Sequence, residues 1–261
     1  ARIYGKSNVT INGGTFYKNI YGGGDMAVVE YKSKNEDYAT NVVIGDGADI
    51  RGSVFAGGNG RAKRPTNLTY QENDGYTQTP DSVGLVKGNT NVIFTGSTLI
   101  APKIYGDIYG GGSLAQVQGS TNINIYAAHF AGQIFGGGKG NITDKNGKDN
   151  ITDKDKTDLT FTYANVKGNT YVNLAHDFGE QKEGDEGKPK DSFSINVIWN
   201  KIWDEKKGII EWDEENDTLF YGSDKPDGDP HFLNPHNIYG GGNLACNVEG
   251  RAVVEVLKGM T

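Results

Sequence analysis

Apolar and polar residues alternate along this chain in short runs that repeat one another. Thr121, Ile123 and Ile125 are interleaved with Asn122 and Asn124. That period of two predicts a strand with the branched residues on one face and the asparagines on the other. The same half-unit stands at 7–11, 40–44, 88–94, 168–174 and 250–256. Downstream of these runs comes an apolar residue, an aromatic and a glycine triplet. The copies are Ile20-Tyr21-Gly22-Gly23-Gly24, Ile108-Tyr109-Gly110-Gly111-Gly112, Ile134-Phe135-Gly136-Gly137-Gly138 and Ile238-Tyr239-Gly240-Gly241-Gly242, with a variant at Val54-Phe55-Ala56-Gly57-Gly58. From the central apolar residue of the strand to the first residue of the corner the distance is 11 residues (Val9 to Ile20), 12 (Val42 to Val54) and 11 (Ile123 to Ile134). It is 16 from Val92 to Ile108, where an extra Ile104-Tyr105-Gly106 intervenes.

Short strands, glycine corners and a repeat of 20 to 30 residues predict an all-β chain, a parallel β-helix (β-solenoid) of about six turns with long loop insertions. A β-propeller blade needs about 40 residues and four strands, and a sandwich would not keep a glycine triplet at matching positions. In the predicted coil each strand lies on its equivalent from the turn before. Thr, Val, Ile and Phe then stack inward, Tyr21, Tyr109 and Tyr239 join Phe135 in one aromatic ladder, and Asn8, Asn41, Asn91 and Asn122 form a ladder of side-chain hydrogen bonds. The structural corners are expected to need glycine both for a positive φ and for close stacking.

Four segments leave this frame, at 28–39, 60–87, 139–166 and 175–237. In repeat folds such insertions emerge as loops, which often carry binding. Within the last, 209–212 and 218–221 read as a hairpin. Its charge is also distinctive. Residues 175–237 hold 16 acidic and 7 basic side chains, whereas the rest of the chain holds 17 and 19. The net charge of −7 argues against a nucleic-acid partner. No apolar run approaches the ~18 residues of a membrane helix, so membrane insertion is not expected. The single cysteine, Cys246, excludes an internal disulfide and reads as a small packed side chain. Glycine, 39 of 261 residues, is about twice its usual share without a collagen period.

The candidate chemistry lies in the insertions. All three tryptophans, Trp199, Trp203 and Trp212, fall in 175–237 together with Tyr221. Aromatic rings beside carboxylates suit a ligand-binding platform for sugars; the competing reading is a small core that holds the insertion to the frame. Asp144, Asn146, Asp149, Asp153 and Asp155 alternate as oxygen ligands do around Ca²⁺, the one cofactor the residues suggest. The full loop spacing with a terminal Glu is missing, and a solvated turn is the competing reading. No His-Glu-x-x-His, Cys/His cluster or Gly-x-Ser-x-Gly is present, and no pair of carboxylates is nominated for acid–base work, so no catalytic residue is assigned.

The consensus Val-x-Gly-x-Thr-x-Val-x-Ile…Phe…Ile-Tyr-Gly-Gly-Gly-x-x-Ala resembles glycine-rich repeats of large secreted or surface proteins of gut bacteria, and is similar to adhesin passengers of the autotransporter type. The likeness covers the frame, about 160 residues, and not the insertions. It implies an extracellular or cell-surface location, flanking repeats of the same protein, and adhesion or scaffolding with a glycan or surface protein as partner. The expected function is therefore non-catalytic. A polysaccharide-active β-helix enzyme, lyase or hydrolase, is the first alternative and a purely structural spacer the second.

Overall fold

The computed structural model describes residues 1–32, 37–61, 83–95, 101–126, 128–144, 148, 159–174, 212–213, 218–219 and 237–256. Among these the chain is all-β, with no helix. The long alternating runs form a six-stranded sheet from Ser7–Ile11, Thr40–Ile44, Thr90–Phe94, Thr121–Ile125, Thr170–Leu174 and Ala252–Val256, stacked in chain order. Every pairing is parallel and residue-matched: Val9, Val42, Val92, Ile123, Val172 and Val254 stand at one level.

The same register extends to two further sheets. Ile20–Tyr21, Val54–Phe55, Ile108–Tyr109, Ile134–Phe135 and Ile238–Tyr239 form a parallel five-stranded sheet at the corner. Gly14–Phe16, Ala48–Ile50, Lys103–Ile104 and His129–Phe130 form a parallel four-stranded one between the long strand and the corner. Ile104, expected as part of an extra Ile104-Tyr105-Gly106, is instead the third copy's regular member of this sheet, in register with Ile50 and Phe130, so the added length of that copy falls between Phe94 and Lys103. Two columns of single parallel bridges keep the same order, one through Asp25, Asn59, Ser113, Lys139 and Asn243, the other through Val29, Val86, Val117, Val166 and Val248.

Between the sheets lies a thin apolar core. Ile44, Ile50, Val54, Val92, Phe94, Ile104, Ile108 and Ile123 are all buried and packed together. The valine column forms a second cluster. In the third, Tyr21, Phe55, Tyr109 and Phe135 stack, and Tyr239 continues them. Centroid spacings along this column are 5.1, 4.6, 5.0 and 4.9 Å, and the rings lie within 11° of parallel. The expected aromatic ladder is therefore present, with Phe55 as a fifth member.

The asparagine ladder takes a different path from the one expected. Asn8, Asn41, Asn91 and Asn122 do share a level. The hydrogen-bonded run instead goes from Asn41 to Asn91 (2.7 Å), then sideways to Asn124 (3.0 Å) and on to Asn173 (2.9 Å). Asn122 donates to the Thr90 carbonyl at 3.5 Å. Tyr171 stands over Asn122 in the next strand whereas Asn173 stands over Asn124, so only the second row continues with an amide partner.

Glycine at the corners also acts differently from expectation. None of Gly22, Gly23, Gly24, Gly110, Gly111, Gly112, Gly136, Gly137, Gly138, Gly240, Gly241 and Gly242 has a positive φ. What all of them but Gly241 share is close approach. A Cβ on Gly57 would lie 2.7 Å from the backbone of Gly112, and one on Gly137 2.9 Å from Gly242. The left-handed conformation falls instead on Met26, Leu114 and Leu244, two residues past the triplet, at φ of 50, 52 and 55°. Such a conformation costs a bulky residue about 1–2 kcal/mol.

Candidate functional site

The polar side chains of the frame bond from one pass to the next. The residue before each corner is Asn19, Ser53, Asp107, Gln133 or Asn237. Asn19 Oδ1 accepts the backbone N–H of Ser53 (2.9 Å), Ser53 Oγ that of Asp107 (3.1 Å), and Asp107 Oδ1 that of Gln133 (2.9 Å). A second ladder runs beside the long strands. Asn89 Oδ1 accepts from Ser120 N (2.9 Å), Ser120 Oγ from Asn169 N (3.0 Å) and Asn169 Oδ1 from Arg251 N (2.8 Å). Each acceptor thus satisfies an amide one pass further on, at a bend where no strand partner is aligned. The sequence carried a signal for the first ladder in the short polar residue that precedes the corner apolar residue.

A threonine at the head of the long strand ties that strand to its own corner. The buried hydroxyls of Thr40, Thr90 and Thr121 donate to the carbonyls of Ala56 (2.6 Å), Gly110 (2.5 Å) and Gly136 (2.5 Å). Thr170 donates in the same way to Gly240. The bond spans 16, 20 and 15 residues in the first three cases and 70 in the last, so the longest insertion leaves it intact. Thr121→Val keeps the shape but strands the Gly136 carbonyl. It is expected to lower stability by about 1–3 kcal/mol, read as a shift in the chemical-denaturation midpoint at unchanged slope.

These ladders account for the carboxylates nearest the corners. Asp107 also accepts the Tyr109 hydroxyl through Oδ2 (3.0 Å), and that hydroxyl accepts from Asn243 (3.1 Å). Burial and the neighbouring carboxylate push the Tyr109 phenol up, so it stays protonated and donating. Asp25 accepts from Asn59 at 2.8 Å. Elsewhere the Lys87 and Arg2 cations hold the Glu30 carboxyl below its ordinary range. Lys6 and the Tyr31 hydroxyl do the same for Asp37. Each is a half-buried carboxylate engaged by cations or a hydroxyl, not two carboxyls held together as acid–base hydrolysis needs. The Cys246 thiol lies against Gly137, Gly138 and Gly242, donates to the Ala164 carbonyl at 3.0 Å, and is pushed up by burial.

The sequence-derived binding candidates are placed only in part. Trp199, Trp203 and Tyr221 lie outside the described residues. Trp212 is described as backbone: it pairs antiparallel with Leu219, and Asp213 with Thr218, which is the hairpin the pattern predicts. Of the calcium candidates, Asn146, Asp149, Asp153 and Asp155 lie outside the described residues. Asp144 is 5% exposed, and its Oδ1 accepts the Lys148 N–H at 2.8 Å while its own N–H donates to the Lys148 carbonyl. Its carboxylate therefore closes a local turn. Among the described residues no group of three or more His, Cys, Asp or Glu side chains comes together.

Two insertions share one exit. The chain leaves after Gly60 and after Gly140, each one residue beyond a bridge in the Asn59–Ser113–Lys139 column. It rejoins at Val86 and Val166 in the valine column. A Cβ on Gly60 would lie 1.9 Å from the Leu114 carbonyl oxygen, and one on Gly140 2.1 Å from that of Ala245. The second insertion departs as an antiparallel ribbon, Asn141–Thr143 against Thr160–Thr162.

No protein-family model, curated protein or solved structure matches this chain.

Proposed function

We propose that the chain is a closed parallel β-helix of about six turns that serves as a non-catalytic scaffold, adhesin-like, outside or on the surface of a bacterial cell. Its insertions are its binding loops, and a glycan or a surface protein is the partner. The observation that carries this reading is the shared exit and return of 60–87 and 139–166. Two long excursions leave from one bridge column and return to another, with the Ser113–Val117 stretch between them, an arrangement by which a stiff frame can carry several binding loops on one flank. The internal use of the frame's own polar groups supports it from the other side, since the ladders hold passes together and leave Asp107 and Asp25 engaged. Trp199, Trp203, Trp212 and Tyr221 supply the aromatic platform of the third long insertion, and any calcium would sit in 144–155.

The test is a glycan array and a panel of surface proteins, probed with the native chain and with versions in which 62–82 or 145–158 is replaced by a short Gly-Ser linker. The expected result is loss of binding with a melting temperature within about 4 °C of native, because the frame keeps its ladders. Binding that survives removal of both loops and replacement of Trp199, Trp203 and Trp212 by alanine defeats the reading. So does the appearance of new reducing ends or unsaturated products from any polysaccharide, which would make the chain an enzyme.

A further inference from the structure

The four-stranded sheet is one member short in the middle of the stack. Each of the first four passes gives it a strand. The fifth runs from Thr170–Leu174 to Ile238–Tyr239, and no described strand stands beside His129–Phe130 on that side. Yet the edge is covered. Phe130 is 2% exposed, and Ala128 and Ala131 beside it are buried. Phe16, at the opposite end of the same sheet, is 36% exposed. The backbone of Phe130 also calls for a neighbour. Arg51 N donates to Phe16 O, Tyr105 N to Ile50 O and Ala131 N to Ile104 O. Alternate residues of a parallel strand bond to alternate sides, so the N–H and C=O of Phe130 face the fifth pass. Backbone groups buried to this degree are paired.

The chain that joins the fifth long strand to the fifth corner is 175–236. Within it Trp212–Asp213 and Thr218–Leu219 are already matched with each other, antiparallel. Spacing narrows the choice further. From the inward residue of this sheet to the first residue of the corner the distance is four in every pass: Phe16 to Ile20, Ile50 to Val54, Ile104 to Ile108 and Phe130 to Ile134. From the last inward residue of the long strand it varies: 5 (Ile11 to Phe16), 6 (Ile44 to Ile50), 10 (Phe94 to Ile104) and 5 (Ile125 to Phe130). Added length thus enters before this sheet and not after it. Shortly before Ile238 stands His231-Phe232, the same two residues as His129-Phe130, with Phe232 six positions from the corner. The rival is Asp177-Phe178. Its phenylalanine is four positions past Leu174 but 60 short of Ile238, an interruption that no other pass makes at that place.

We infer that the His129–Phe130 edge is the docking surface of residues 231 and 232, which pair with it in parallel and set Phe232 over Phe130. The inference rests on the stacked-pass reading above, and goes beyond it in assigning the occupant of this edge. The edge ring would then be held on both sides, since Phe94 already meets Phe130 edge-on at 5.9 Å. It also places the longest excursion. Trp199, Trp203, Trp212 and Tyr221 all fall between the long strand and this sheet, the same arm of the coil in which the third pass carries its added length.

The experiment is disulfide trapping in the intact chain. Matched residues of neighbouring parallel strands stand about 4.8 Å apart, within the roughly 4.4–6.8 Å that a disulfide spans. Asp49→Cys with Lys103→Cys, which are matched across two passes, is the control for stacking. His129→Cys with His231→Cys is expected to close as fully as the control, and at least about fivefold more than His129→Cys with Asp177→Cys, read by peptide mapping of the oxidised protein. Phe232→Ala is expected to lower the melting temperature by at least about 5 °C and Phe178→Ala by less than about 2 °C. Three results would each overturn the inference and leave the scaffold reading standing. They are a 129–177 link that forms as readily as 129–231, a 129–231 pair that stays open while the control closes, and a Phe232→Ala melt no lower than that of Phe178→Ala. A control pair that stays open defeats the stacked frame and the inference together.

Discussion

Gly111→Ala lowers stability by at least about 3 kcal/mol, a fall in melting temperature of roughly 6–12 °C for a chain of this size. The added Cβ would lie 2.7 Å from Gly138 N, 2.8 Å from its Cα and 3.0 Å from the Gly137 carbonyl carbon. All three are backbone atoms, so no side chain can swing aside. The corner must open instead, and with it the bonds from Gly111 N to Gly137 O (3.0 Å) and from Gly57 N to Gly111 O (3.1 Å). Conformational strain is not the cause, since Gly111 does not have a positive φ. Gly241→Ala is the control. It has the same place in the motif but nothing within 4 Å of its Cβ, and is expected to change stability by no more than about 0.5 kcal/mol. Thermal melts of the two variants decide the matter: equal losses would show that the corner needs glycine for something other than the spacing between passes.

Phe55→Ala is expected to cost about 3–5 kcal/mol. The ring is 1% exposed and lies between Tyr21 and Tyr109, the latter 3° from parallel at 4.6 Å. Removing it leaves a gap one ring wide in a column that cannot collapse, because the backbone of each pass is fixed by its hydrogen bonds to the passes on either side. Tyr239→Ala deletes a ring that is 41% exposed and has Phe135 as its one partner in the column. Its expected cost is about 1 kcal/mol. Urea titration of both variants at constant slope gives the comparison. A Phe55→Ala loss no larger than that of Tyr239→Ala would mean that the interior rings contribute little beyond what a surface ring does.

The repeat was legible in the chain because a stacked fold writes its three-dimensional period directly into one dimension. Ile20, Val54, Ile108, Ile134 and Ile238 recur at matched distances from a strand, and the register places them one above another. The ladder of Tyr21, Tyr109, Phe135 and Tyr239 follows from the same spacing. The side-chain hydrogen bonds did not follow so simply. Both Asn122 and Asn124 face away from the apolar residues, and only the residue above each, Tyr171 or Asn173, decides which row continues. The role of Thr121 is similar: its partner, Gly136 O, lies 15 residues away around a bend whose geometry no local pattern encodes. The candidate platform of Trp199, Trp203 and Trp212 was nominated by composition alone, and composition does not distinguish a ligand face from a core.

By itself the sequence determined the long strands, their parallel order and the positions of the corners, because alternation and glycine spacing are local and each copy repeats them, whereas the four-stranded sheet between them carried no such alternation. Only the tertiary structure decided why the glycines are there. Their φ angles are ordinary, and the demand comes from the next pass, whose backbone occupies the space a Cβ would need. It also decided that, among the described residues, the non-glycine residues in the left-handed region are Met26, Leu114 and Leu244, and that the insertions after Gly60 and Gly140 leave from one bridge column. These features arise between segments that meet only when the passes stack, so no window of sequence contains them.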